Sequence, residues 1–246
     1  MIPSPIKYYQ NLDVIKPHWH PFKKVVFSLR SMLSMIFQSL VVFQLLFFNF
    51  FPFKVKIHNK KILDKAIKHG AVFLTVHSGP YPLMGRIIHD FYPNKKIVVT
   101  FYHRNKISVF PIFKKFFERL GVTVVALGGA MKTIGPILKS GGSMTLLLDA
   151  RLPVPKHRTE KVRLFDKERN LSTGPYYLST NHNLNVVPIY VKRQGMTLHV
   201  YALTEIPHQK ISKKTFMKKV AKSLELMIED TLKSWQTYDT FLLGEP

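Results

Sequence analysis

From residue 59 onward, short apolar runs alternate with amphipathic segments, and this alternation restricts the possible folds more than any other feature. Strands that alternate with helices form a mostly parallel sheet with helices packed against it. We predict strands at 71–76, 97–101, 122–126, 143–148, 161–165, 186–192 and 197–203. We predict helices at 59–68, 83–91, 109–120, 131–139 and 175–180, and a basic amphipathic helix at 213–235. The expected fold class is therefore α/β, with a central, mostly parallel mixed sheet flanked by helices.

The composition is typical of one packed domain. The 246 residues are 46% hydrophobic and 21% charged, which suits a full α/β core and excludes a largely disordered chain. Cysteine is absent, so the chain has no disulfide, no thiolate metal site and no cysteine nucleophile. A zinc site would need His and carboxylate ligands alone, and we expect neither a metal nor a cofactor.

A large excess of positive charge predicts an acidic partner. Thirty-seven Lys and Arg residues against 14 Asp and Glu residues leave a net charge of +23, which attracts polyanions of any kind. Anionic lipid, an acidic carrier protein and nucleic acid all fit that charge. The sequence carries no zinc-finger, helix-turn-helix or aromatic RNA-binding signature, so we predict that nucleic acid is not the partner.

The segment 25–53 is dense in Val, Leu, Ile and Phe, and no charged residue lies between Arg30 and Lys54. A stretch of this length can span a bilayer, lie in the membrane interface or form a buried core helix. No small-residue cleavage site follows it, so it does not resemble a cleavable signal peptide.

Polar residues and flanking charges favour the interfacial alternative. Ser28, Ser31, Ser34 and Gln38 recur at helical spacing and form a polar stripe, which is typical of a helix lying in the membrane plane. Lysines flank both ends of the segment, whereas a spanning helix would export one cationic flank against the positive-inside tendency. We therefore predict a membrane-associating segment at 1–56, with an N-terminal apolar docking helix.

His77 is the first candidate for chemistry. It follows the strand 71–76 at its carboxyl end, where open α/β sheets build their sites, and Ser78 and Gly79 turn the chain there. An imidazole at such a position can act as a general base. The alternative is a histidine with a purely structural role in a tight turn.

The sequence blocks around and after His77 occur in a recognisable order. They read GAVFLTVHSGPYPL at 70–83, FERLG at 117–121 and LLLD at 146–149. In this order they resemble the late acyltransferases of lipid A biosynthesis, which have His-Phe-Gly-Asn-Trp-Glu-Leu after a strand, an Arg-x-x-Gly helix end and a strand ending in Asp-Gln. Weaker similarity at 162–166, 172–175, 187–193 and 235–238 extends the resemblance over roughly residues 25–240.

The resemblance implies a glycerol-phosphate-acyltransferase-like domain at 57–246 that transfers acyl groups. His77 would deprotonate a hydroxyl of a lipid-linked acceptor such as a lipid A precursor, and the oxygen would attack the thioester of acyl carrier protein or acyl-CoA. The implied location is the cytoplasmic face of the bacterial inner membrane, with the anionic membrane surface as a further partner.

Six further residues are implied as substrate contacts. Three lie in the His77 motif, namely Ser78, Gly79 and Tyr81. The others are Arg104, Arg119 and Arg151, because guanidinium groups bind phosphate and related oxyanions bidentately. Solvated surface charge is the alternative interpretation of these arginines.

One position departs from the family pattern: Pro82 stands where the family has a carboxylate, five residues after the His. That acid normally fixes the tautomer of the His and stabilises the imidazolium. Three explanations are open: a carboxylate from elsewhere in the chain, a His acting alone, or a non-catalytic relative that binds lipid or carrier protein. We predict the first, with Asp149 as the leading partner and Asp90 as the second, at the mouth of a deep apolar cleft.

Overall fold

A computed structural model describes the chain over residues 5–48, 51–101, 110–119, 121–126, 130–150, 155–209 and 211–236. The strands are β1 (Lys54–His58), β2 (Val72–Thr75), β3 (Ile97–Phe101), β4 (Thr123–Ala126), β5 (Ser143–Leu147), β6 (Thr159–Leu164), β7 (Lys167–Ser172), β8 (Val186–Gln194) and β9 (Thr197–Ala202). The helices are α1 (Pro5–Ile15), α2 (Pro21–Phe48), α3 (Lys60–His69), α4 (Leu83–Phe91), α5 (Phe110–Arg119), α6 (Met131–Lys139), α7 (Gly174–His182) and α8 (Lys213–Asp230). Short 3-10 turns lie at Lys156–Arg158 and Leu232–Ser234.

Within the described residues, seven strands form one sheet in the order β1-β9-β8-β2-β5-β3-β4. Strands β8, β2, β5, β3 and β4 run parallel, whereas β9 is antiparallel to β8, and β1 is parallel to β9. The predicted α/β class with a mostly parallel mixed sheet is confirmed. Because β2 and β5 are neighbours, the residues that follow them emerge side by side at the carboxyl edge of the sheet.

Apolar side chains cover both faces of the sheet, as a parallel sheet requires. Alternate residues of β2 point to opposite faces, so Val72 and Leu74 join one hydrophobic cluster and Phe73 joins the other. The first cluster contains the apolar face of α8, and the second contains those of α3 and α4. Packing on both faces holds β2 in place at the centre of the sheet.

The N-terminal helices share the first of these clusters. Tyr8, Leu12 and Ile15 of α1 and Met35 of α2 are buried in it, and the Tyr8 hydroxyl donates a hydrogen bond to the Leu232 carbonyl. The predicted boundary between residues 56 and 57 also falls inside strand β1. The division into a segment at 1–56 and a domain at 57–246 therefore does not separate two hydrophobic cores, and it remains a proposal about membrane contact.

Helix α2 has an inverted arrangement of its two faces. Its buried face carries Lys24, Ser28, Ser31, Met35 and Gln38. Its exposed face carries Phe22, Val25, Leu29, Leu33, Ile36, Phe37 and Leu40. Ser28, Ser31 and Gln38 of the predicted polar stripe therefore pack against the protein, and the apolar stripe faces outward. The buried Lys24 ammonium is neutralised by Asp13 of α1 at 2.6 Å, as a buried charge requires.

Three elements were not predicted, namely α1, β1 and β7. Strands β1 and β7 carry charged residues on their exposed positions, so a search for apolar runs overlooks them. Strand β7 pairs with β6 through the two-residue turn Phe165-Asp166, in which both residues have positive φ, as a tight hairpin of this type requires.

Candidate active site

His77 and Asp149 meet at the carboxyl edge of the adjacent strands β2 and β5. The distance from His77 Nδ1 to Asp149 Oδ1 is 2.8 Å, and the His77 backbone N–H donates to Asp149 Oδ2 at 2.7 Å. The Asp149 side chain is 0% exposed and that of His77 is 20% exposed. The predicted contact is confirmed. A carboxylate at Nδ1 selects the tautomer with its proton on that atom, which leaves Nε2 able to accept a proton.

Trp235 provides a further donor to the same carboxylate. Its indole Nε1 donates to Asp149 Oδ2 at 2.7 Å, and the residue is 1% exposed. A buried carboxylate must be hydrogen-bonded to be stable. The indole and the His77 backbone N–H satisfy Oδ2 together, so they hold Oδ1 in position for the imidazole.

The segment that carries Trp235 also holds the turn after His77. The Gln236 backbone N–H donates to the His77 carbonyl at 2.6 Å, and the Gln236 side-chain amide donates to the Gly79 carbonyl at 3.2 Å. The Gly79 N–H in turn donates to the Ser234 carbonyl at 2.9 Å. The C-terminal segment thus fixes the backbone on both sides of Ser78, and with it the orientation of the imidazole.

Residues of the His77 motif occupy different environments. Ser78 is buried, and its hydroxyl is within 3.1 Å of the Ser234 hydroxyl, so it points into the protein and its predicted contact with substrate has no support in these contacts. Gly79 has a φ of +58°, and a Cβ there would lie 3.0 Å from the Val191 carbonyl oxygen. The Tyr81 ring lies edge-on to the imidazole, with 5.1 Å between the ring centroids.

Pro82 is accommodated by the helix that follows the motif. Its φ of −62° and ψ of −25° are helical, and α4 begins at the next residue. Proline is well suited to the start of a helix because its φ is already restricted to helical values. The position that bears the family's acid therefore begins a helix here, and the acid that contacts His77 comes from the end of β5.

Two other predicted residues are not brought to His77. The Asp90 carboxylate lies at the end of α4 and accepts from Arg86 Nε at 2.7 Å. Arg119 is the last residue of α5 and is followed by β4, which is parallel to β2 and β5 through β3. It therefore lies at the amino edge of the sheet, opposite His77. Arg104 and Arg151 lie outside the described residues, and their contacts stay predictions.

Trp235 and Gln236 are the parts of this site that sequence reasoning missed. The resemblance included 235–238, but without a role for any residue there. A tryptophan at the end of the predicted C-terminal amphipathic helix was the available signal. Nothing local to the sequence connects it with Asp149, from which it is separated by 86 positions.

The family model described as bacterial lipid A biosynthesis acyltransferase matches residues 9–237. The chain belongs to this family. The resemblance predicted from the sequence is confirmed, and the matched region includes His77, Asp149 and Trp235. No curated protein matches the chain.

Membership of the lipid A acyltransferase family identifies the protein in general terms as a membrane-associated acyltransferase. Helix α2 is consistent with membrane association, since Pro21–Val42 has a mean hydropathy of 1.7 and is long enough to cross a bilayer. Only 22% of that stretch is buried against the rest of the protein.

Among the described residues, no three His, Asp or Glu side chains are grouped so that they could hold a metal ion. One surface pocket in the described part of the chain lies between the β6–β7 hairpin and α8 and another lies at α2, and His77 lines neither of them. The deep apolar cleft that we expected beside His77 therefore stays a prediction.

Proposed function

We propose that the protein transfers a fatty acyl group from the thioester of an acyl carrier protein or acyl-CoA to a hydroxyl of a lipid-linked acceptor, such as a lipid A precursor. The observation that carries this proposal is the 2.8 Å contact between His77 Nδ1 and Asp149 Oδ1. It restores, from another strand, the acid that Pro82 removes from the motif.

In the proposed reaction, His77 Nε2 accepts the proton of the acceptor hydroxyl as its oxygen attacks the thioester carbonyl carbon. The new C–O bond gives a tetrahedral intermediate, which collapses with cleavage of the C–S bond. The departing thiolate takes the proton from the imidazolium, so the products are an ester and a thiol. Asp149 stabilises the imidazolium formed in the first step, as the acid of a catalytic triad does.

The acyl donor that best fits the surface charge is an acidic carrier protein. A net charge of +23 should accelerate the encounter with an acidic partner, most strongly at low ionic strength. Helix α8 presents a group of exposed or half-exposed lysines for such an encounter, namely Lys213, Lys214, Lys218, Lys219 and Lys222. Acyl-CoA is also anionic and is the second donor of our proposal.

We further propose that α2 docks the protein on the cytoplasmic face of the inner membrane without spanning it. Helix α2 packs against α1 and against the 3-10 turn at Leu232–Ser234. One face of the helix, with Lys24, Ser28, Ser31, Met35 and Gln38, is buried, so the folded protein lies alongside this part of the helix. A spanning orientation would place the folded protein inside the hydrocarbon layer. An in-plane orientation instead inserts only the outward apolar stripe.

The test is an acyl-transfer assay with purified protein, acylated carrier protein or acyl-CoA, and a bacterial lipid extract. We expect mass spectrometry to detect an acyl increment on an acceptor lipid with the wild type and none with His77→Ala. Wild-type activity in His77→Ala would exclude the mechanism. If the wild type also gives no product with either donor, a non-catalytic lipid-binding or carrier-binding relative becomes the better description.

A further inference from the structure

A surface pocket of about 560 Å³ lies where α2 meets the end of β8 and the 3-10 turn at Leu232–Ser234. Its lining residues are Arg30, Leu33, Ser34, Phe37, Arg193 and Lys233. The pocket combines three cations with two exposed apolar side chains, and the mechanism proposed above uses none of these residues.

Within the described part of the chain, the cations of this pocket have no acidic partner. No Asp or Glu lines it, and none of the ion pairs among the described residues includes Arg30, Arg193 or Lys233. The Arg193 guanidinium stacks over the Phe37 ring at 4.7 Å from its centroid, which restricts its orientation. Three cations that line one pocket, with no acidic side chain among the described residues around them, favour a multivalent oxyanion. Arginine side chains bind phosphate bidentately.

The apolar side chains of the pocket indicate a ligand that is larger than a free phosphate. Leu33 is 63% exposed and Phe37 is 50% exposed. Both belong to the outward apolar stripe of α2, which continues beyond the pocket through Leu29, Ile36 and Leu40. A ligand that satisfies both parts must carry hydrocarbon next to its anionic group. Nucleic acid and free phosphate offer no such hydrocarbon.

We propose that this pocket binds the phosphate headgroup of an anionic membrane phospholipid, whose acyl chains lie along the exposed stripe of α2. The proposal rests on the membrane docking in the proposed function and is independent of catalysis. Lys233 precedes Ser234, whose carbonyl accepts from the Gly79 N–H in the turn after His77. The bound headgroup therefore contacts the 3-10 turn whose Ser234 carbonyl holds the turn after His77.

The first experiment measures binding of the full chain to phosphatidylcholine vesicles with and without phosphatidylglycerol, at physiological ionic strength. The pocket variant combines Arg30→Gln, Arg193→Gln and Lys233→Gln. The control variant combines Lys68→Gln, Lys132→Gln and Lys139→Gln, exposed lysines of α3 and α6, and so removes the same charge elsewhere. We expect the pocket variant to lose about a hundredfold in affinity for the anionic vesicles, from about fivefold per cation, and the control to lose much less.

Equal losses in the two variants would show attraction by bulk charge alone and would overturn the headgroup site. Equal wild-type affinity for both vesicle types would also overturn it, while leaving docking through α2 intact. Absence of wild-type binding to either vesicle would overturn docking as well. If inorganic phosphate raises the melting temperature of the wild type but not of the pocket variant, and also displaces it from anionic vesicles, the site binds soluble phosphate instead.

A second measurement does not depend on removing charges. The chain has no cysteine, so Leu33→Cys provides a unique attachment site for an environment-sensitive fluorophore in the pocket. We expect lipids with a spin label near the headgroup to quench this probe in anionic vesicles, and to leave a probe at Lys139→Cys unquenched. Equal quenching at both positions, or none at Leu33→Cys, would contradict the proposal.

Discussion

At the scale of single residues, the site depends on a buried carboxylate that is hydrogen-bonded by two distant residues, His77 and Trp235. Asp149→Asn keeps the size of the side chain but removes the charge that stabilises an imidazolium and permits the wrong tautomer at His77. We expect kcat for acyl transfer to fall by about 10³-fold to 10⁴-fold, by analogy with catalytic triads, and KM to change little. Single-turnover kinetics with the wild type as reference would measure this, and a loss confined to KM would contradict the assigned role.

Trp235 is expected to act on the reaction only through Asp149. Trp235→Phe keeps a buried ring but removes the 2.7 Å hydrogen bond to Oδ2. The loss of a hydrogen bond to a charged group should lower the free energy of unfolding by about 1.5–3 kcal/mol. We also expect kcat to fall while the affinity for carrier protein is kept. Leu232→Ala removes buried apolar volume on the same segment and is the control for stability. If both variants lose the same amount of kcat for the same loss of stability, the role of Trp235 is structural alone.

At the scale of elements, the inverted faces of α2 lead to opposite expectations for its two sides. Leu29→Ser combined with Leu33→Ser changes exposed positions, so it should weaken vesicle binding with little change in the melting temperature. Ser31→Leu places a larger side chain at a fully buried position, and overpacking should cost about 1–3 kcal/mol of stability. Liposome flotation and thermal unfolding of the two variants would test this pair of expectations. Lower stability in the variant with Leu29→Ser and Leu33→Ser, together with normal stability in Ser31→Leu, would contradict the assignment of the exposed and buried faces of α2.

At the scale of the whole molecule, the excess of basic residues makes stability sensitive to acid. Hydrogen bonds from Lys60 and Lys65 hold the pKa of Asp64 and of Glu205, respectively, below their ordinary values of 3.8 and 4.5. A lowered carboxyl pKa contributes stability that is complete above the ordinary pKa and is lost as the pH falls through the lowered one. We expect the contribution of these two carboxylates to the urea midpoint to be complete above about pH 5 and to fall below pH 4.5.

The matched control for this acid sensitivity is Glu205→Gln, which keeps the amide contact with Asn185 possible but removes the charge. Its urea midpoint should be lower than that of the wild type at pH 6, and the difference should shrink as the pH falls toward 3. A difference that grows at acid pH would have the wrong sign for a carboxylate with a lowered pKa.

The sequence determined most of the helices and strands and the position of His77 at a strand end. Helices α4 and α6 and strand β3 have the predicted bounds, because apolar periodicity and glycine stops are local properties of the chain. The same local reasoning placed His77 and Asp149 at strand ends, and motif order identified the family. Periodicity was less informative for β1 and β7, because charged residues occupy the exposed positions of these strands and interrupt the apolar runs.

Tertiary structure decided which of these residues meet. The adjacency of β2 and β5 selected Asp149 over Asp90 as the partner of His77, since strand order depends on contacts distant in sequence. Chain direction at β4 placed Arg119 at the opposite edge of the sheet. The buried side of α2 was also decided at this level, because periodicity identifies two different faces but not which of them packs against the protein. In α2 the more polar face packs inward, because a polar side chain there can meet a partner on the rest of the protein, as Lys24 meets Asp13.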